Sequence, residues 1–161
     1  MSKLLEYKYS MNKASETEIA EYLRTCDADF VPPLSSRVEI KDYAKKIVSK
    51  ATRFEAWSGN TLVGLLAAYC NDQEKRIAYI TSISVLREWK GEGIAARLMS
   101  QCIEHARALG MRQIGLAVAS DNSLAIKLYE KSGFVAVKAI APFISMNLYL
   151  TNNEEEHEQQ S

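Results

Sequence analysis

The sequence has no long hydrophobic run and no excess of charge of either sign. A membrane-spanning helix needs roughly 20 consecutive apolar residues, and no stretch of the chain approaches that length. The first 13 residues also contain no hydrophobic region of the kind that a signal peptide carries. The 20 basic and 20 acidic residues cancel, whereas general nucleic-acid binders carry a basic excess. We therefore expect a cytoplasmic protein with neither a membrane nor a nucleic acid as its partner.

Cysteine and histidine are also scarce. The three cysteines, Cys26, Cys70 and Cys102, form no CxxC pair and are odd in number, which is typical of reduced thiols near the core of a cytosolic protein. Cys102 and His105 are one helical turn apart, but no further ligand lies near them in sequence. His157 lies in a polar tail. Since a structural metal site needs about four ligands, we predict that the protein binds no metal.

The bulk composition is that of one globular domain. A chain of 161 residues with 47% apolar and 25% charged residues has enough length for a single hydrophobic core. The last ten residues, 152–161, are polar and include four glutamates, a composition typical of disorder. We predict a single domain over residues 1–151 and a disordered tail over residues 152–161.

Helical and strand patterns follow one another along that domain. Ser15 and Glu18 form a capping box at the start of a first helix, and Pro32 and Pro33 end its pattern. Gly110 and Gly133 are expected as C-terminal helix caps. The order β-α-α-β-β-β-α-β-α-β-β predicts an α/β domain with a mixed sheet. The predicted strands cover residues 4–11, 54–57, 61–69, 77–85, 113–118, 134–138 and 144–150, and the predicted helices begin near residues 15, 40, 94 and 122.

The most informative segment is a glycine-punctuated turn between the strand that ends at Val85 and the helix that follows. Gly91 and Gly93 remove the Cβ atoms that would keep an anion at a distance. The first turn of a helix leaves its N–H groups unpaired and carries partial positive charge. Such a turn can hold a phosphate or a pyrophosphate. Glycines in the same place also serve simply to let the chain change direction.

Two motifs in the second half of the chain carry a family resemblance. The first is Lys90-x-x-Gly93-x-Ala95, and the second is Asn122-x-x-Ala125-x-x-Leu128-Tyr129-x-x-x-Gly133-Phe134. In this order and spacing they resemble the GNAT superfamily of acyl-CoA-dependent N-acetyltransferases, whose pyrophosphate loop reads Arg/Gln-x-x-Gly-x-Gly/Ala. The departure is Lys90, which stands where the family has Arg or Gln. The resemblance is strongest over residues 77–137.

The resemblance implies a GNAT-like α/β fold, a mixed and mostly antiparallel sheet flanked by about four helices, with acetyl-CoA as cosubstrate. In the family, pantetheine lies along the strand before the loop and the pyrophosphate meets the loop amides. Lys90 can face the phosphates, though without the bidentate fork of arginine. Both Lys90 and Arg87 can also be ordinary solvated charges, the interpretation we favour for Arg87. The cofactor-binding residues implied here are Ile83, Val85, Lys90, Gly91, Glu92, Gly93, Ile94, Ala95 and Asn122.

Asn122 and Tyr129 are seven residues apart and share one helix face. Asn122 is either a cofactor contact, as the resemblance implies, or the N-cap of its helix. Tyr129 is either a core aromatic or the catalytic acid. A phenol with a pKa of about 10 is protonated at pH 7, so it can donate to the thiolate that leaves when an amine attacks a thioester. The glycine loop upstream favours the catalytic interpretation.

The general base is not visible in the sequence. Family members often carry a carboxylate on the strand before the loop, but residues 80–85 contain none. Glu88 follows the strand and is either a base or a solvated charge. Two routes without a side-chain base are also open: an ordered water relays the proton, or the acceptor amine arrives already neutral.

The resemblance places the acceptor amine between segments 26–37 and 138–143. Asp27 and Asp29 are candidates to hold an amine, and Arg37 is a candidate to hold a carboxylate or phosphate. Phe30 and Phe143 are candidate walls. Each of the five is equally compatible with an ordinary loop position.

The leading prediction is an acetyl-CoA-dependent N-acetyltransferase that acts on a small polar amine by direct attack. A protein N-terminal acetyltransferase is the second hypothesis, and it requires a cleft open enough for a peptide. A non-catalytic acyl-CoA-binding sensor is the third, which the missing strand carboxylate favours and Tyr129 opposes. The sequence leaves the acceptor and the oligomeric state open, and a homodimer is possible.

Overall fold

Seven strands form one mixed sheet in the computed structural model, which describes residues 7–150. Four α-helices and three short 3-10 helices connect the strands within this range. The strands are β1 Tyr7–Met11, β2 Thr52–Ser58, β3 Thr61–Tyr69, β4 Ile77–Val85, β5 Gln113–Ala119, β6 Val135–Ile140 and β7 Phe143–Tyr149. The helices are α1 Glu16–Cys26, α2 Ile40–Lys50, α3 Ile94–Ala108 and α4 Ser123–Lys131, with 3-10 turns at Asp27–Asp29, Leu34–Ser36 and Arg87–Trp89.

The predicted order of strands and helices is confirmed, and the differences lie at element ends. β2 begins two residues earlier than predicted because Thr52 and Arg53 pair with Ala68 and Ala67 of β3. β6 and β7 run closer to their connecting turn than predicted, since Ile140 pairs with Phe143. The 3-10 turns were not predicted. Residues 4–6 of the predicted first strand and the predicted tail lie outside the described residues.

The sheet order is β1-β2-β3-β4-β5-β7-β6, and each neighbouring pair is antiparallel except β4 and β5. The prediction of a mixed, mostly antiparallel sheet is therefore confirmed. The parallel pair is short: Ile77–Tyr79 pairs with Gln113–Gly115, and beyond Tyr79 the two strands separate. Each strand continues past this point, so a gap opens inside the sheet between residues 80–85 and residues 116–119.

Two apolar cores lie on opposite faces of the sheet. Leu65 and Ala67 of β3 pack with α1 and α2, whereas Leu66 and Ala68 pack in the core that contains α3 and Tyr129 of α4. This alternation follows from the period of two in a strand, and all four side chains are fully buried. A strand buried on both faces holds the rest of the sheet in a fixed position relative to the helices.

The helix ends follow the local sequence signals. The Ser15 hydroxyl accepts a hydrogen bond from the Glu18 amide at 3.1 Å, and the Glu18 carboxylate accepts one from the Ser15 amide at 2.9 Å. The predicted capping box is thus confirmed. Gly110 and Gly133 follow α3 and α4 with positive φ angles of +79° and +104°, as expected for left-handed C-terminal caps.

Gly64 lets α3 approach β3 closely. A Cβ atom on Gly64 would lie 2.8 Å from Cγ2 of Ile94 and 3.3 Å from Cδ1 of Leu98. We expect Gly64→Ala to lower the free energy of unfolding by about 1–3 kcal/mol, because extra atoms in a packed core force strain. Urea unfolding measures the loss. The double variant with Ile94→Ala removes the clashing methyl, so its cost should be smaller than the sum of the two single costs.

Candidate active site

The gap between β4 and β5 opens into a cavity of about 620 Å³. Its lining comes from both separated strands, from the turn before α3, from α4 and from the segment between α1 and α2. The lining residues include Cys26, Asp29, Phe30, Arg37, residues 80–85, Trp89, Lys90, Gly91, Gly93, Ile94, Ala95, residues 116–119, Asn122, Leu124, Ala125, Leu128, Tyr129 and Phe143.

The turn before α3 presents open backbone to one end of this cavity. Gly91 and Gly93 have φ angles of +83° and +80°, and Gly93 is the N-cap of α3. These left-handed angles favour glycine. A Cβ atom built on either residue would meet no atom within 4 Å. The N-terminus of a 15-residue helix therefore lies at the cavity, since Gly93, Ile94 and Ala95 line it, and this arrangement suits an anion.

The cavity gathers most of the implied cofactor-binding residues. Eight of the nine line it: Ile83, Val85, Lys90, Gly91, Gly93, Ile94, Ala95 and Asn122. Glu92 is not a lining residue. Its carboxylate accepts a hydrogen bond from the hydroxyl of Tyr7, on the edge strand β1. Residues 90–93 of the turn thus offer the cavity a lysine and backbone amides, while the one acidic side chain among these four residues, Glu92, binds Tyr7 instead.

Asn122 caps a helix and also lies at the cavity. It is the N-cap of α4, and its side-chain oxygen accepts a hydrogen bond from the Ala125 amide at 3.3 Å. It also lines the cavity. The capping bond fixes the side chain at the start of α4, so a role as helix cap does not remove Asn122 from the site.

Tyr129 lines the cavity from α4 and is 7% exposed. Its ring packs against Phe134, with centroids 6.0 Å apart. Burial raises the pKa of Tyr129 to about 12, so the phenol keeps its proton throughout the neutral range. A buried, protonated hydroxyl beside a cavity is suited to donate a hydrogen bond or a proton.

Both segments expected to hold the acceptor contribute to the lining of the cavity. Phe30 and Arg37 line it from the connection between α1 and α2, and Phe143 lines it from β7. The Arg37 guanidinium lies over the Phe143 ring, 5.9 Å from its centroid. This cation–π contact joins the two sides.

The two aspartates of this region differ in role. Asp29 lines the cavity and forms an ion pair with Arg87 at 2.5 Å. The hydrogen bond from Arg87 lowers the pKa of Asp29. Arg87 is therefore paired, although its side chain is 76% exposed. Asp27 is not a lining residue, and it accepts a hydrogen bond from the Ser35 amide at 2.7 Å, which makes it part of the loop structure.

Several lining groups were not identified from the sequence. Hydroxyl side chains alternate on the α1 face of β4: Ser82 is buried, and the Ser84 hydroxyl lies 2.9 Å from the Tyr22 hydroxyl. Cys26 lines the cavity beside Ser84, and burial raises the pKa of its thiol to about 11. Serines spaced by two in an otherwise apolar strand are the signal that could have indicated them.

Glu88 is exposed and does not line the cavity. Of the described lining residues, Asp29 is the only one with a carboxylate. Its pKa is lowered, which makes it a weak proton acceptor.

Over residues 7–150, no three histidine, cysteine, aspartate or glutamate side chains are grouped so as to hold a metal ion. The three cysteines are buried and free. No helix in the same range is both long and apolar enough to cross a membrane.

Comparison with known proteins gives a consistent result. The model of the acetyltransferase (GNAT) family matches residues 17–134. An uncharacterized N-acetyltransferase of Methanocaldococcus jannaschii is 34% identical over 88 residues, which are 52% of this chain and 39% of that protein. A mycothiol acetyltransferase of Corynebacterium glutamicum is 30% identical over 83 residues, 52% of this chain and 28% of that protein. The chain thus spans about a third of the length of these curated relatives.

Solved structures share the fold at lower identity. PaiA N-acetyltransferase from Thermoplasma acidophilum, in complex with coenzyme A, has a TM-score of 0.71 and 14% identity, covering 89% of this chain and 99% of that one. The NatC complex, bound to Gag peptide and CoA, contains a chain with a TM-score of 0.71 and 22% identity, covering 91% of this chain and 99% of that one. At these identities the likeness establishes the fold alone.

Proposed function

This chain belongs to the acetyltransferase (GNAT) family, and we propose that it transfers the acetyl group of acetyl-CoA to a primary amine of a small polar acceptor. The observation that carries the proposal is the gap between β4 and β5, with open helix amides at one end and Tyr129 in its wall. The PaiA and NatC structures, both of them CoA complexes, agree with a CoA ligand for this fold.

The cavity fits CoA by the chemistry of its lining. Residues 80–85 have no partner on β5, so their backbone faces the gap and is available to the amides of pantetheine. The Gly91 and Gly93 amides and the Lys90 ammonium would hold the pyrophosphate. When bound, acetyl-CoA supplies an activated acetyl thioester. A cavity of about 620 Å³ is within the range of small-ligand sites.

Direct attack by the amine is supported by the state of the lining side chains. Cys26 is the one cysteine among the described lining residues, and a thiol with a pKa of about 11 is a poor nucleophile at neutral pH. Tyr129, with a pKa of about 12, keeps a proton that it can donate to the departing sulfur. The attacking nitrogen loses its proton to water as the amide forms, and the Tyr129 phenolate regains a proton from water. We therefore propose one transfer step without a covalent enzyme intermediate.

The acceptor side favours a small molecule over a peptide. The contact of Arg37 with Phe143 joins the two segments between which a peptide would have to enter. Asp29, already neutralised in part by Arg87, can bind a cationic group, and Arg37 can bind an anionic one. Mycothiol acetyltransferase, one of the relatives, is named for a small molecule, which agrees with this proposal.

A panel of amines tests the function directly. Free thiol released from acetyl-CoA is measured with amino sugars, amino acids, polyamines and short peptides as acceptors. We expect turnover with one or more small polar amines and little with peptides. Turnover restricted to peptides would favour the N-terminal acetyltransferase. CoA binding without turnover by any amine would favour the non-catalytic sensor.

The pH profile is expected to follow the acceptor rather than the enzyme. No carboxylate lies on β4, and the pKa of Asp29 is lowered, so the described lining offers no side-chain base near neutrality. Because only the neutral amine attacks, kcat/KM should rise with pH toward the pKa of the amine. Tyr129, with a pKa of about 12, should add no inflection between pH 6 and 9.

Two acceptors whose amine pKa values differ by about one unit or more provide the measurement. The inflection in kcat/KM should move with the acceptor. An inflection at the same pH for both would mean that the enzyme has a titrating base, and Glu88 would be the first residue to mutate.

A further inference from the structure

The turn that faces the proposed pyrophosphate site carries a negative side chain between its two glycines. Glu92 follows Gly91 and precedes Gly93, so its backbone belongs to the anion-binding turn. A carboxylate directed from this position into the cavity would repel a pyrophosphate bound at the turn. Glu92 does not line the cavity, and its position away from the amides has a specific cause.

Tyr7, at the start of β1, contacts the turn at two residues, Glu92 and Trp89. Its hydroxyl donates a hydrogen bond to the Glu92 carboxylate, and its ring packs edge-on against Trp89, with centroids 5.6 Å apart. Trp89 also lines the cavity. A second contact joins β1 to α3, because the Arg97 guanidinium lies 5.6 Å from the centroid of the Tyr9 ring.

The hydrogen bond between Tyr7 and Glu92 is expected to persist over the physiological pH range. Burial and the neighbouring Glu92 raise the pKa of Tyr7 to about 12, so the phenol is a donor at every physiological pH. A hydrogen bond from a phenol to a carboxylate is charge-assisted and stronger than a neutral one. The partner comes from the edge strand, far away in sequence from the turn.

We propose that Tyr7 is a positioning residue for the cofactor. It holds the Glu92 carboxylate against β1 and so keeps negative charge away from the pyrophosphate while leaving the turn amides free. This inference rests on the proposed function, since it requires that the turn binds the pyrophosphate of CoA. It predicts a role for the N-terminal strand in cofactor affinity and none in the chemical step.

The test compares Tyr7→Phe with the double variant Tyr7→Phe/Glu92→Gln. Tyr7→Phe keeps the ring against Trp89 and removes the hydroxyl. We expect CoA binding, measured by calorimetry, to weaken about three- to fivefold, because repulsion between partly exposed charges is small. KM for acetyl-CoA should rise and kcat should be unchanged. Glu92→Gln removes the charge, so the double variant should regain the affinity of the parent. Tyr9→Phe, on the same strand, is the matched control and should bind CoA normally.

S-acetyl-pantetheine, which lacks the pyrophosphate, separates charge from general loss of structure. Its kcat/KM should be the same for Tyr7→Phe and the parent. Equal CoA affinity of Tyr7→Phe and the parent, or a double variant as weak as Tyr7→Phe, would overturn the inference. If Tyr7→Phe fails to fold, Glu92→Gln alone must bind CoA at least as tightly as the parent, and weaker binding would overturn it. Failure of the parent itself to bind CoA would remove the proposed function instead.

Discussion

Gly93→Asp should abolish most of the affinity for CoA. The residue is the N-cap of α3 with φ at +80°. It lines the cavity, and a Cβ atom built on it would meet no atom within 4 Å. Aspartate would place a side chain and a negative charge where the pyrophosphate is proposed to bind, so steric and Coulomb repulsion act together. We expect CoA binding, followed by calorimetry, to weaken about tenfold or more, which is about 1.4 kcal/mol or more.

Gly59→Asp is the matched control for this variant. Gly59 also has a positive φ, +58°, and open space around it, but it lies in the turn between β2 and β3 and does not line the cavity. The same backbone strain is therefore introduced far from the site. Gly59→Asp should bind CoA like the parent. If Gly93→Asp is folded and binds CoA with unchanged affinity, the glycine turn is not the pyrophosphate site and the proposed function loses its basis.

Local sequence signals predicted much of this fold. The bounds of β4 are the predicted ones, because a β-branched run is bounded there by a polar turn and a glycine turn. The capping box of Ser15 and Glu18 formed as expected, since its partners are three residues apart. Tyr129 and Asn122 line the same cavity as the glycine turn, as motif spacing combined with the resemblance led us to expect.

The contacts that the sequence did not reveal join residues that are far apart in the chain. Tyr7 and Glu92 are 85 positions apart, and Arg87 and Asp29 are 58 apart. Hydrophobic periodicity indicates which face of an element a residue occupies, but not which polar group of another element it meets. Glu55 is a further case: it is fully buried in β2 and accepts hydrogen bonds from the Lys13 and Ala14 amides.

The acceptor side was the least predictable part of the site for the same reason. Asp27 and Asp29 are two residues apart and were equivalent candidates, yet one binds the Ser35 amide within its own loop and the other meets Arg87 at the cavity. Both residues belong to the 3-10 turn Asp27–Asp29, and their carboxylates bind different partners. Such short turns carry little sequence signal, so the chemistry of an acceptor site built from loops depends on the tertiary structure.

Tyr129→Phe should lower kcat by about 100-fold, the order expected for loss of a general acid. The variant keeps the ring and its contact with Phe134, so the fold should change little. KM for acetyl-CoA should change modestly, because the loss of an interaction that is made only in the transition state lowers kcat and leaves substrate binding unchanged. Steady-state kinetics between pH 6 and 9 measures both quantities. Tyr149→Phe, an exposed residue of β7 outside the cavity, should retain the parent rate. A Tyr129→Phe enzyme as active as the parent across this range would leave Tyr129 as a core aromatic, and the proton for the leaving thiolate would have to come from solvent.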